Sequence, residues 1–220
     1  MDLNEALYTT RAMRRVSSDP ISSDVVKAMM DAAIRSPSGS NIQSWRWITV
    51  TDPATIGKLA TLYAEGWIEL NATLYKGRIE MVMESGDQGA MRVINSSQWL
   101  ADNFDQVPLV VVPYHRNDWL GASIYPAIWS MMLAARSHGV GTTLTTVLGM
   151  FKHQEVAELL GVPLDKGWTN PAAITCGYPL GRWGLAKRAP AHSVTFSDRW
   201  GNAPDWTADE PLWSPGDGGS

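Results

Sequence analysis

Apolar residues first recur at helical spacing at Val25, Val26, Met29, Met30 and Ala33, directly after Ser22 and Ser23, either of which can cap the segment. Lys27 and Asp31 stand four apart on the opposite face, so the pattern predicts an amphipathic helix with an i,i+4 pair. Upstream, Asp2 can cap a short helix through about Tyr8, and Pro20 closes the segment between. Downstream, the turn-forming run Ser36-Pro37-Ser38-Gly39-Ser40-Asn41 leads into Trp45–Val50, whose aromatic and β-branched content is that of a strand. Pro53 starts another helix through Leu59 and Leu62, and from about Trp67 to Asp105 a helical pattern broken by Gly77, Gly86 and Gly89 reads as a mobile helical insertion.

Pro108–Pro113 is an unbroken apolar run, the pattern of a central strand covered on both faces. Ser123 then caps a helix with Pro126 in its first turn, and Ala127–Ala135 is apolar almost all round, which predicts burial in a core or a subunit interface. That stretch is shorter than the roughly 20 residues a membrane crossing needs. Gly139 and Gly141 end it, Thr142–Val147 reads as a strand, His153–Leu160 as a short helix stopped by Gly161 and Pro163, and Ala172–Cys176 as the last strand. Beyond Tyr178 no helical period remains. Residues 201–220 hold four Gly, three Pro and four acids with no Lys or Arg, the composition of a flexible tail.

Composition narrows the function classes. With 220 residues, 45% hydrophobic and 18% charged, the chain suits one globular domain with a sizeable core. Lys plus Arg is 18 against 22 Asp plus Glu, a net charge of −4 with no basic block, which argues against a nucleic-acid partner. The single cysteine, Cys176, excludes an internal disulfide and a multi-thiolate metal site, and the four His residues never take a metal-ligand spacing. No secretory signal opens the sequence, so the expected location is the cytoplasm, with no membrane partner. Eleven Trp against three Phe hint at flat rings that must be covered.

Arg11, Arg14 and Arg15 fall within five residues, either a solvated face or an anion site whose guanidinium forks match phosphate oxygens. Ser38-Gly39-Ser40-Asn41 is a plain turn or a set of short donors beside them, and Asn41-Ile42-Gln43-Ser44-Trp45 adds amides next to a large ring. Gly139-Val140-Gly141 follows a helix and lacks the third glycine of a dinucleotide loop, and no Gly-x-Ser-x-Gly elbow occurs. With no nucleophile, metal set or paired acids, the chemistry points to a bound cofactor.

Thr10-Arg11-Ala12-Met13-Arg14-Arg15 followed by Ser36-Pro37-Ser38-Gly39-Ser40-Asn41-Ile42-Gln43-Ser44-Trp45-Arg46 resembles the opening of the FMN-dependent nitroreductase superfamily. Tyr125-Pro126-Ala127-Ile128, Gly139-Val140-Gly141, Leu144-Thr145-Thr146, Leu160-Gly161-Val162-Pro163, Gly177-Tyr178-Pro179 and Lys187-Arg188-Ala189-Pro190 follow in that family's order, so the resemblance spans about residues 3–200. Ser44 stands where the family usually has Pro, and Thr10 where some members carry Arg. The resemblance implies an α+β three-layer fold, a central antiparallel or mixed sheet flanked by helices, in an intertwined homodimer with FMN at the interface. It implies one FMN-binding domain over 1–200 with a helical lid at about 65–105.

The resemblance also implies roles. Arg11 and Arg188, with Lys187 nearby, would hold the FMN phosphate, and Ala12 and Arg14 would lie at the flavin, Arg14 near its pyrimidine edge. Pro37, Ser38, Gly39 and Asn41 would come from the other subunit, and Leu144, Thr145 and Thr146 would line the flavin face or its N5 edge. The catalytic chemistry would belong to flavin N5, with no metal. Tyr63, Trp67, Tyr75 and Trp99 in or beside the lid are stacking candidates for a small-molecule acceptor, each with core packing as the alternative. The implied activity is NADH- or NADPH-driven reduction of flat electron-poor acceptors such as nitroaromatics or quinones by a ping-pong mechanism. A specialised flavin-dependent dehydrogenase or dehalogenase, or a non-catalytic flavin store or sensor, stays open. The Glu-x-x-x-Tyr spacing of the iodotyrosine-dehalogenase lid does not occur between residues 65 and 105.

Overall fold

The computed structural model describes residues 1–215; residues 216–220, the end of the expected flexible tail, lie outside the described residues. The helices and strands run α1 (Leu3–Thr9), α2 (Ser23–Ala33), β1 (Trp45–Val50), α3 (Pro53–Ala72), α4 (Arg78–Ser85), α5 (Gln88–Asp102), β2 (Leu109–His115), α6 (Ile124–Ser137), β3 (Gly141–Thr145), α7 (Val147–Phe151), α8 (His153–Leu160) and β4 (Ala173–Gly177). They fall into two compact units: Ala12–Gly181, and Met1–Arg11 together with the chain from Arg182 onward.

In the larger unit the strands form one antiparallel sheet in the order β1-β2-β4-β3, so the unbroken apolar run of β2 lies inside the sheet. Its alternate residues divide between two apolar clusters, as a two-residue repeat requires. Val110, Val112 and Tyr114 join Leu59 and Tyr63 of α3, Leu100 of α5, Leu148 of α7 and Val156 of α8. Leu109 and Val111 join Met29 and Ala33 of α2 and Ala127, Ile128, Met131 and Ala135 of α6, with Cys176 of β4 among them. Burial pushes the Cys176 thiol up, so it serves as a small core residue.

Local chemistry sets the boundaries. Ser22 accepts from the Val25 N–H to start α2, and Asp52 does the same for Thr55 at the start of α3, where Pro53 needs no donor. Asp31 takes Arg35 as its i,i+4 partner at 2.8 Å, where the sequence suggested Lys27; the carboxylate then precedes the cation, the favoured order along a helix. Ser123 holds the cap position of α6 without a capping bond. The Asp118 carboxylate does that work, accepting from the N–H groups of Ser123 (3.0 Å) and Ile124 (2.8 Å). β3 stops at Thr145, short of the expected Val147, because Thr146 is already in the right-handed helical region and Val147 opens α7. Val147 and Leu148 are buried in the core as helix, and a strand would bury them too, so apolarity alone could not separate the two.

In the smaller unit Asp2 caps α1 by accepting from the Glu5 N–H at 2.7 Å. The Ala208 N–H donates to His192 Nδ1 at 3.2 Å, and the Trp213 ring lies 5.7 Å from that of Tyr8. Among the described residues no helix is long and apolar enough to cross a membrane.

Tyr114 makes the fold sensitive to alkali. Its ring is 1% exposed, its hydroxyl has no hydrogen-bond partner among the described residues, and burial pushes its phenol from the ordinary 10 up to about 12. Above pH 10 the unfolded chain loses this proton while the folded chain keeps it, so the unfolded state binds fewer protons and stability falls towards pH 12. Urea midpoints measured across that window are expected to drop for the wild type and to drop less for Tyr114→Phe; equal slopes would show that this phenol does not contribute.

Candidate functional site

The site begins where residues 13–17 cross the ends of β3 and β4. The Met13 N–H donates to the Thr142 carbonyl at 3.0 Å, Ser17 N–H to Tyr178 at 2.8 Å, and Leu180 N–H to Arg15 at 3.0 Å, while Val16 bridges Pro179. Such close lacing requires bare backbone underneath, supplied by the paired Gly141 and Gly177. A Cβ on Gly141 would stand 2.7 Å from Met13 Cβ, and one on Gly177 would stand 2.7 Å from Val16 Cβ. Arg14 is thereby held between two pinned neighbours.

Its side chain enters a cavity of about 220 Å³. β3 and the turn after it supply Thr143, Leu144, Thr145 and Thr146, with Val147 at the start of α7; α3 supplies Tyr63, Trp67, Leu70 and Asn71; Tyr75, then Arg78 and Ile79 of α4, and Val93, Ile94, Ser97 and Gln98 of α5 complete the wall. The Tyr63 and Thr145 hydroxyls lie 3.3 Å apart, Trp67 Nε1 donates to Gln98 Oε1 at 2.9 Å, and Arg14 Nη1 donates to Ser96 Oγ at 3.1 Å. Burial lowers the affinity of the half-buried Arg14 for its proton, with Tyr63 and Tyr75 pulling the other way, and burial raises the Tyr63 phenol despite its bond to Thr145. Thr143 is 1% exposed and its hydroxyl has no partner among the described residues. No Asp or Glu is among the lining residues.

Arg14, Leu144, Thr145 and Thr146 therefore meet Tyr63, Trp67 and Tyr75 around one space. Trp99 does not line it: Arg15 packs over its ring, 5.9 Å from the centroid. Pro37, Ser38 and Gly39 line a second groove with Trp45, Trp119 and Ser123, which shares no residue with the Arg14 cavity. There the Ser38 hydroxyl accepts from the Gln43 N–H at 3.2 Å, Gly39 N–H donates to Ser123 Oγ at 3.3 Å, and Asn41 Oδ1 accepts from Gln43 Nε2 at 3.0 Å. Ser40, Asn41 and Gln43 all have φ between 50° and 55°, a strained run tied to the start of α6. Ala12 is exposed at the start of the larger unit.

The smaller unit carries the remaining candidates. Arg11 Nη2 donates to the Arg182 carbonyl at 2.8 Å, and exposed Lys187 and Arg188 line a groove with Tyr8, Asp209 and Glu210. Sequence reasoning missed Asn71, Arg78, Ser97, Gln98 and Thr143. Only Arg78 had a local signal, the glycine before it that marks a helix start.

Residues 7–178 match the Nitroreductase family. The chain belongs to that family. A relative from Thermus thermophilus, named NADH dehydrogenase, is 25% identical over 206 residues, covering 89% of this chain and 96% of its own length. Among solved structures, an FMN-dependent nitroreductase from Clostridium difficile superposes with a TM-score of 0.65 at 16% identity, covering 89% of this chain and 99% of that one. An iodotyrosine deiodinase bound to FMN and 3-iodo-L-tyrosine superposes with a TM-score of 0.68 at 18% identity, covering 85% and 95%. These structures share the fold of helices around an antiparallel four-stranded sheet. The nitroreductase match takes in the whole lining of the Arg14 cavity and stops before Lys187 and Arg188.

Proposed function

We propose that this chain is an FMN-dependent NAD(P)H oxidoreductase of the nitroreductase type, a cytoplasmic homodimer that reduces flat electron-poor acceptors such as nitroaromatics or quinones by a ping-pong mechanism. The observation that carries this reading is the half-buried Arg14 in an aromatic-walled cavity without carboxylates, in a chain of this family. The residues present fit a flavin ring: Arg14 offers a cation to an anionic ring edge, and the buried Thr143 hydroxyl, lacking a partner among the described residues, offers a hydrogen bond. FMN, when bound, would supply two-electron redox chemistry between NAD(P)H and the acceptor.

The rest is the work of the chain. Arg14 neutralises charge at the ring edge beside Ala12; Leu144 and Thr146 shape the ring face, and Tyr63 orients Thr145 through their shared hydrogen bond. Trp67 and Tyr75 cover the cavity and exclude water. Arg11, Lys187 and Arg188 hold the phosphate, and Pro37, Ser38, Gly39 and Asn41 of the partner subunit reach the ribityl chain. Trp119 and Leu120 are more than four-fifths exposed and Trp129 of α6 is 39% exposed, which supports a subunit interface on this side of the three-layer protomer. The lid spans about 65–105 within a single domain of residues 1–200.

The test is the visible spectrum of the purified protein before and after anaerobic NADH and then NADPH, followed by initial rates with donor and acceptor varied together. A flavin spectrum that bleaches, and parallel double-reciprocal lines, are expected. A colourless protein that takes up no FMN would overturn the cofactor assignment. Intersecting lines would overturn the single-pocket exchange, and tight FMN with negligible NAD(P)H oxidation would point to a store or sensor.

A further inference from the structure

Arg78 is the one lid cation in the Arg14 cavity, and the roles proposed above leave it unused. It opens α4 directly after Gly77, whose φ of 73° turns the chain so that Arg78 and Ile79 meet the cavity wall. Its N–H donates to the Tyr75 carbonyl at 2.9 Å, and its guanidinium sits over the Tyr75 ring, 4.4 Å from the centroid. A stacked guanidinium keeps its N–H donors in the plane of the fork, available to a ligand. Among the described residues no carboxylate pairs with the Arg78 side chain, and the acids of its own helix, Glu80 and Glu84, are exposed and outside the lining. Across the cavity stands a second cation, Arg14, whose side-chain bond is to a neutral serine. The cavity therefore carries two positive charges, aromatic walls from Trp67 and Tyr75, and no negative charge of its own.

Resting on the oxidoreductase reading above, we infer that Arg78 selects the acceptor and that the acceptor class is an anionic aromatic, such as an aromatic carboxylate. The ring lies against Trp67 and Tyr75 while Arg78 takes the carboxylate. Arg14 serves the cofactor, so the lid cation is left to discriminate among acceptors. A neutral ring of the same shape would fill the space and leave the lid guanidinium without its anion, so discrimination resides in the charge.

The experiment compares 4-nitrobenzoate with its neutral isostere 4-nitrobenzamide on the oxidised protein as purified, by calorimetric titration and by steady-state KM. The wild type is expected to bind the benzoate about tenfold or more tighter, the size of effect a charge-assisted fork supports. Arg78→Gln, which keeps side-chain length and polarity, is expected to abolish that preference with flavin content and benzamide KM unchanged, and Arg78→Lys to restore part of it. Equal affinity of the wild type for the two probes would overturn the inference. So would an Arg78→Gln protein that keeps the preference, or one that loses its flavin, since Arg78 would then serve the cofactor. Arg78-dependent benzoate binding without reduction of either probe would keep the anion site and sink the nitroreductase reading instead.

Discussion

Replacing Arg14 with Ala is expected to weaken FMN binding by about tenfold to a hundredfold, the range set by losing one charge-assisted contact of about 1.5–3 kcal/mol. The guanidinium is already half-buried, so the fold holds a partly dehydrated cation whose one side-chain hydrogen bond among the described residues is to a serine hydroxyl. That arrangement is a cost in the free protein and becomes favourable when an anionic ring edge arrives, which is why the effect on the cofactor should exceed the effect on stability. Truncation removes the one side-chain bond to Ser96. The urea midpoint should therefore shift by less than the equivalent of about 1 kcal/mol. Flavin fluorescence titrations of wild type, Arg14→Ala and Arg14→Lys measure the affinity. Lysine should recover part of it, since the charge returns without the fork. Unchanged flavin affinity in Arg14→Ala would move the ring edge away from this cavity.

The second large effect is expected far from any candidate ligand atom. Gly177→Ala places a Cβ 2.7 Å from both Val16 Cβ and Cγ2 and 3.2 Å from Pro108 Cδ. None of these is the free end of a flexible side chain. Val16 is pinned by its bridge to Pro179 and by the Ser17 bond to Tyr178, so relief must come from moving backbone. Overpacking of this kind costs about 1–3 kcal/mol, and the value here should lie in the upper half. Because the displaced segment carries Arg14 two residues earlier, flavin affinity should fall as well, although Gly177 does not line the cavity. Gly57→Ala is the control: it lies in α3 with nothing within 4 Å of the added Cβ, so it should leave both readouts unharmed. A Gly177→Ala protein as stable as the control would show that the crossing segment yields easily.

The elements that sequence patterning located best are those whose apolar period is uninterrupted: α2, α8, β1 and β2 all lie within a residue or two of their expected limits. What escaped was decided by contacts distant in sequence. Asp118 caps α6 from five residues before Ser123, a role that needs the loop between them already folded. The cavity joins residue 14 to stretches near 63–79, 93–98 and 143–147, and no periodicity relates those four. Family resemblance brought Arg14 and 144–146 into view, but it carried no signal for Arg78 or Gln98, whose positions follow from how α4 and α5 turn. Trp99 illustrates the limit. One residue beyond Gln98 is about 100° further round a helix, enough to carry its ring away from the cavity towards Arg15.

α3 belongs to two regions at once. Its first half sends Ile56 and Leu59 into the core against the sheet, and its second half presents Trp67 and Leu70 to the cavity, in a continuous rod of 20 residues. α4, which begins after the turn at Gly77, contains no buried residue. Inheritance acts on these pieces differently: a change in the rod is filtered by folding before chemistry is ever sampled, whereas a change in α4 costs the fold little. Variation in this chain is therefore expected to gather on α4, at the cavity wall, while the rod and the sheet beneath it stay fixed.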